Sequence, residues 1–181
     1  MKFMIYIAFA LLAISMVLIN LGTVNAAPYS RAHIKHLVAE EAINLRVPVS
    51  LALAVAHAES YFNAKAESRV GARGVMQIMP ATARYEYGLH PDLLWNPRIN
   101  VRVGLHFLGR LIRQYDGRVD LALSWYNGGS AVGTGTRARV IPATRKYVNR
   151  VLKLQKKYRR DLKRGALPNM SRPSFSNVMK S

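Results

Sequence analysis

Gly71-Ala72-Arg73-Gly74-Val75-Met76-Gln77-Ile78-Met79-Pro80-Ala81-Thr82-Ala83 follows closely on Glu59-Ser60-Tyr61-Phe62-Asn63, and these two segments hold the chain's most unusual chemistry. Gly71 and Gly74 let the backbone turn tightly or approach a ligand closely, while Gln77 offers both a donor and an acceptor. Glu59 ends a helical pattern in which Val55, Ala56 and Phe62 stand three or four residues away, with Ala52 one turn further back. A carboxyl on such an apolar stripe is costly to ionise, so its pKa is expected to rise. The ordinary reading of that Glu is a residue skirting the rim of the core. A glycine-rich loop beside a raised-pKa acid marks a candidate site instead.

On either side of this centre the apolar spacing is helical. His33 to Leu45 places Ile34, Leu37, Val38, Ala42 and Leu45 on one face, and Pro48 suits the first position of a helix running from Val49 to Phe62. Asn100 precedes Val101, Leu105, Leu108, Leu111 and Ile112, with Gly117 as a stop. Val119 to Tyr126 predicts a short helix ended by Gly128-Gly129. Pro142 opens a last helix through Val148, Val151, Leu152 and Leu162, whose outer face is nearly all Lys and Arg. No alternating run is flanked by hairpin turns, so the expected fold is mainly α with little or no β-sheet.

The two ends differ from the centre. Phe3 to Ile19 is a 17-residue run broken only by Ser15, preceded by Lys2 and followed by Val24-Asn25-Ala26. This reads as a signal peptide over residues 1–26 that exports the protein, with an uncleaved inner-membrane anchor as the alternative. The whole chain has 181 residues, 27 Lys plus Arg against 9 Asp plus Glu, and no cysteine. A disulfide scaffold and a cysteine-ligated metal site are thereby excluded. Residues 153–181 alone hold 9 basic groups against 1 acidic, a composition shift that suggests a domain of residues 27–152 followed by a basic helix extension and a disordered tail from Ala166.

The ordered motifs resemble the soluble-lytic-transglycosylase-like (SLT) catalytic domain family of the lysozyme-like superfamily, which includes goose-type lysozymes. The resemblance covers about residues 37–152. It rests on Glu59-Ser60 with Phe62-Asn63, the Gly71 to Ala83 segment, Asn96-Pro97 with Asn100 and Gly104, Tyr126-Asn127-Gly128, and Thr144-Arg145-Lys146-Tyr147-Val148. It implies a helical domain with a cleft, in which Glu59 is the single catalytic acid/base. Ser60, Ser68 and Gln77 would line the cleft, and Tyr126 and Asn127 would contact substrate or orient Glu59. Val75 stands where Leu is usual, and Ser124-Trp125 precede Tyr126 where small residues are common. The connection from Ser130 to Ile141 is long and basic, with Arg137 and Arg139.

Most glycosidases need two carboxylates flanking the bond. The central motifs offer only Glu59 and Glu67, and Glu67 reads as a solvated surface residue. The second group must then come from the substrate, and the resemblance implies an N-acetyl group of peptidoglycan. The expected reaction is cleavage between N-acetylmuramic acid (MurNAc) and N-acetylglucosamine (GlcNAc), closing a 1,6-anhydro ring without metal or cofactor. A hydrolytic lysozyme on the same fold and a non-catalytic wall-binding module are the alternatives.

His33 and His36 lack a third ligand and read as a solvent-facing pair, and His57 as a helix-side polar contact. Trp95 is expected in the core, Met76 and Met79 in the core or on the cleft floor, and Tyr85 and Tyr87 in core or sugar contact. The basic tail suits attraction to wall polymer, an anionic membrane surface or nucleic acid. An export signal argues for the periplasm and against intracellular nucleic acid. Small signal-bearing members of the family often open the wall for secretion, conjugation or pilus machinery.

Overall fold

The computed structural model describes residues 29–165. The export signal, the start near Ala27 and the tail from Ala166 lie outside the described residues. Six α-helices follow in order: α1 (Arg31–Asn44), α2 (Val49–Ser60), α3 (Pro80–Tyr87), α4 (Pro97–Gln114), α5 (Val119–Gly128) and α6 (Arg145–Lys163). Short 3₁₀ turns occupy Pro91–Trp95, Gly129–Val132, Gly135–Arg137 and Pro142–Thr144. Extended pairing among the described residues is confined to isolated bridges, Glu67 with Arg73 and Arg73 with Ile78. No helix among them is long and apolar enough to cross a membrane.

Helix α2 is the axis of the domain. Seven consecutive residues, Ser50 to Ala56, are buried, because α1 covers one side and α6 another. Small side chains at Ala52, Ala54 and Ala56 let those neighbours approach. From His57 onward the helix leaves the core, and Tyr61 (φ 54°) and Phe62 (φ 64°) both adopt left-handed backbone to turn the chain. The expected helix end at Phe62 is therefore two residues late. Two adjacent non-glycine residues in this region cost on the order of 1–3 kcal/mol each. The Phe62 ring, almost wholly buried against Tyr158, offsets part of that cost.

Helix α4 starts a little earlier than its apolar spacing suggested. Asn96 caps it, its Oδ1 accepting from the amides of Arg98 and Ile99, and Pro97 occupies the first turn. Helices α1 and α4 are joined through the buried Glu41. Arg98 donates to its carboxylate at 2.8 Å and Arg102 at 2.9 and 3.0 Å. Two guanidinium partners satisfy a buried charge that would otherwise be prohibitive. Helix α5 joins the segment before α6 through a chain of hydrogen bonds. Ser124 Oγ accepts from the Ile141 amide at 3.0 Å and pairs with Thr144 Oγ1 at 2.7 Å, and Thr144 donates to Ile141 O at 2.9 Å. Ser124, the departure from small residues noted above, is thus a buried tie between α5 and α6.

The expected boundary after Leu152 lies within α6, which runs on past residue 153 as its apolar spacing suggested, and Tyr158 belongs to the main core cluster. A charge shift records which residues face water, whereas the apolar stripe of α6 continues to Leu162. Trp95 is 36% exposed, with the Arg73 guanidinium over its ring, so it is not a core residue. Met76 is fully buried but Met79 is 39% exposed. His57 makes the polar contact expected of it, pairing through Nδ1 with the Tyr158 hydroxyl at 2.7 Å. His33 and His36 are exposed on α1.

Candidate active site

Glu59 stands where α2 emerges from the core. Burial raises its pKa from about 4.5 to about 7, against the opposing pull of a Tyr147 hydrogen bond and the Arg150 charge. The Tyr147 hydroxyl, from the first turns of α6, donates to Glu59 Oε1 at 2.5 Å. Burial, reinforced by the Glu59 charge, holds both Tyr147 and Tyr126 well above the ordinary phenol pKa, so each is a fixed neutral donor. Glu59 is thereby a carboxyl of raised pKa, hydrogen-bonded to Tyr147 and near enough to Tyr126 for its charge to act on that phenol.

The segment between α2 and α3 is fixed by side chains that reach its backbone. Ser60 donates to Val75 O at 2.8 Å, and Tyr126 donates to Met76 O at 2.8 Å. Asn100, fully buried on α4, accepts from the Met76 amide at 2.8 Å and donates to Arg73 O and Leu94 O at 2.8 and 3.0 Å. Gly74 is required beneath it: its φ is +73°, and a Cβ there would stand 2.4 Å from Asn100 Nδ2. Gln77 also adopts left-handed backbone (φ 48°), and its Nε2 donates to Gly74 O at 2.9 Å and Ala66 O at 3.1 Å. Left-handed non-glycine residues at 61, 62 and 77 thus flank the site on both sides of the loop.

The expected site residues therefore divide. Glu59 and Tyr126 come together electrostatically. The donors of Ser60 and Gln77 are spent on loop backbone, which makes them positioning groups, with Gln77 Oε1 left over as an acceptor. Ser68 Oγ accepts from the Ala72 amide at 3.0 Å and is partly exposed. Asn127 is exposed, with no side-chain hydrogen bond among the described residues. Glu67 is exposed and faces Arg73 at 3.5 Å. Tyr147 and Asn100 stood in the motifs without an assigned role. The available signal was a hydrogen-bonding side chain on an otherwise apolar stripe, which must find a partner once buried.

Comparison with known proteins places the chain in a family. The model of the Transglycosylase SLT domain matches residues 36–147. The chain belongs to this family. The soluble lytic murein transglycosylase of Escherichia coli K12 is 34% identical over 90 residues, covering 46% of this chain and 14% of that protein. Its Salmonella typhimurium counterpart is 36% identical over 87 residues, covering 44% and 14%. Among solved structures, an inactive glutamate-to-glutamine mutant of the lytic transglycosylase Slt of Pseudomonas aeruginosa superposes with a TM-score of 0.62 at 30% identity, covering 75% of this chain and 25% of that one. The 70 kDa soluble lytic transglycosylase of Escherichia coli gives 0.61 at 28% identity, covering 72% and 26%. The chain thus spans about a quarter or less of the length of these relatives. Its fold is the lysozyme-like helical fold of the SLT family, and Glu59, Gln77, Tyr126 and Tyr147 all lie inside the matched range.

Proposed function

We propose that this protein is a peptidoglycan lytic transglycosylase that cleaves the β-1,4 bond between MurNAc and GlcNAc and leaves a 1,6-anhydroMurNAc end. The observation that carries this reading is the isolation of Glu59 among the carboxyls. Of the nine Asp and Glu in the chain, seven face Arg or Lys in ion pairs, and Asp116 is an exposed turn residue with a positive φ. Glu59 alone is held by a tyrosine and has a raised pKa. A two-carboxylate mechanism finds no obvious partner here, which favours a route in which the substrate supplies the second group.

In that route the Glu59 proton passes to the glycosidic oxygen as the C1–O bond of MurNAc breaks, and the leaving GlcNAc keeps it as a hydroxyl. The N-acetyl carbonyl stabilises the cationic C1. The C6 oxygen then bonds to C1, its proton returns to Glu59, and the enzyme is restored with no water consumed. A group that must be acid first and base second works best with a pKa near the working pH, and about 7 suits both steps. Tyr147 holds the carboxyl in place, and Asn127, Ser68 and Gln77 Oε1 are the polar groups left for the glycan. The inactivity of the glutamate-to-glutamine mutant of the Pseudomonas relative fits a single essential acid.

The apolar start of the sequence supports export to the periplasm, where such a domain would open or remodel the wall locally, in the service of secretion, conjugation or pilus assembly. The test is mass analysis of the muropeptides released from purified peptidoglycan. Anhydro ends, one water lighter than reducing ends, are expected from the native protein. Glu59→Gln is expected to lower turnover by about 10²- to 10⁴-fold with the fold intact. Reducing ends would make the protein a hydrolase, and near-native clearing by the variant would remove Glu59 from its role.

A further inference from the structure

Helix α6 presents one face to the core and another to solvent, and the solvent face is almost purely cationic. Between residues 145 and 164 stand ten Lys or Arg, all exposed, against the single acid Asp161. Lys157 is neutralised by Asp161 at 2.7 Å; none of the other nine has an ion-pair partner among the described residues. The row is about 28 Å long at 1.5 Å per residue. Toward its C-terminal end Lys156, Arg159, Arg160 and Lys163 enclose a shallow depression of about 380 Å³ whose lining is entirely cationic. Nothing in the proposed chemistry at Glu59 uses these four side chains.

We propose that this face docks the domain on an anionic phospholipid surface, with the depression between Lys156, Arg159, Arg160 and Lys163 seating a headgroup phosphate. The partner is chosen by what the face has and what it lacks. Four convergent cations with no acceptor among them suit a phosphate. The face offers no ring on which sugars or unpaired bases could stack, since Tyr147 and Tyr158 turn inward and no α6 residue is among the exposed large hydrophobics. Its apolar side is already packed on α2, so α6 cannot insert into lipid in the manner of an interfacial helix. Binding is therefore peripheral, electrostatic and reversed by salt. Such docking would hold the active site against wall strands next to the membrane, and it stands independently of the reaction proposed for Glu59.

The experiment is co-sedimentation of the native chain with vesicles of 30% phosphatidylglycerol in phosphatidylcholine, with pure phosphatidylcholine vesicles, with purified wall sacculi and with duplex DNA, across a salt series. Binding to the anionic vesicles, none to the neutral ones, and steep loss with salt are expected. Each cation near such a surface is worth roughly fivefold in affinity, so K156Q/R159Q/R160Q/K163Q is expected to bind at least about 100-fold more weakly. The same variant should keep its melting temperature and its activity on a short soluble glycan, because all four side chains are exposed and remote from the core. K156R/K163R, which keeps the charge, should bind as the native chain does. Undiminished binding by the quadruple variant overturns the proposal. So does stronger binding to sacculi or to DNA than to anionic vesicles at equal salt, which would assign the face to that polymer.

Discussion

Glu59 is the residue at which burial and ionisation oppose each other, and the opposition can be measured. Its folded pKa of about 7 lies above the value near 4.5 expected when unfolded, so the native state binds more protons between those limits. Stability must then fall as pH rises through that window, by a total of about 3 kcal/mol at most. Glu59→Gln removes the titration and keeps an acceptor for Tyr147. The variant is expected to be more stable than the native protein at pH 8, with the difference vanishing below about pH 4. Chemical denaturation at the two pH values checks this, and equal differences at both would mean that Glu59 is well solvated. Tyr147→Phe should act in the opposite sense to Arg150 and push the Glu59 pKa higher, since the lost hydrogen bond favours the ionised form. Carboxyl titration by NMR, together with an upward move of the alkaline limb of kcat/KM, is the expected signature. An unmoved limb with reduced activity would leave Tyr147 a packing role alone. Glu59 was legible in the sequence because its stripe and its loop are local. Tyr147 was not assigned, because 88 residues separate it from its partner and only the packing of α6 on α2 brings them together.

At the scale of elements, the long helices were legible because their faces are periodic. Helix α3 and the 3₁₀ turn at Pro91–Trp95 were not, being too short to repeat a pattern. The loop from Tyr61 to Met79 was legible as chemistry and not as geometry. Ser60 and Gln77 were read as groups facing substrate, yet each donates to loop carbonyls, a use that sequence cannot distinguish from a ligand contact. Gly104 shows how α4 sets the height of that loop. A Cβ at this position would stand 2.5 Å from Met76 Cβ and 2.7 Å from its Cγ. Met76 cannot yield freely, because its amide is held by Asn100 and its carbonyl by Tyr126. Gly104→Ala should therefore cost about 1–3 kcal/mol through overpacking, lowering Tm by roughly 2–12 °C in a chain of this size. Activity should fall further than stability, since the displaced segment carries Gln77. Calorimetry with a parallel rate measurement checks both, and an unchanged Tm would show that the loop rises without strain.

For the whole molecule, the question is where the domain ends. Charge suggested Leu152, but the apolar spacing of α6 runs on through Leu154, Tyr158 and Leu162, and Tyr158 is almost fully buried. Its hydroxyl meets His57, and its ring stands edge-on to Phe62 at 6.4 Å between centroids. His57 and Phe62 bracket Glu59 in sequence, so the C-terminal half of α6 buttresses the turn that presents the Glu59 carboxyl. Truncation after Lys153 should then do far more than remove charge. Loss of a buried aromatic costs about 3–5 kcal/mol, and deleting Leu154 and Leu162 as well approaches the 5–15 kcal/mol that holds a typical domain together. The truncated chain is expected to lose its cooperative thermal transition, while Tyr158→Ala keeps one at a lower temperature. A chain ending at Gly165 should melt as the full one does. Circular dichroism melts of the three proteins separate packing from charge, because the Tyr158→Ala variant keeps every cation on α6. If the chain ending at Lys153 melts at the native temperature, the domain closes at Leu152 and the contacts of Tyr158 contribute nothing to its stability.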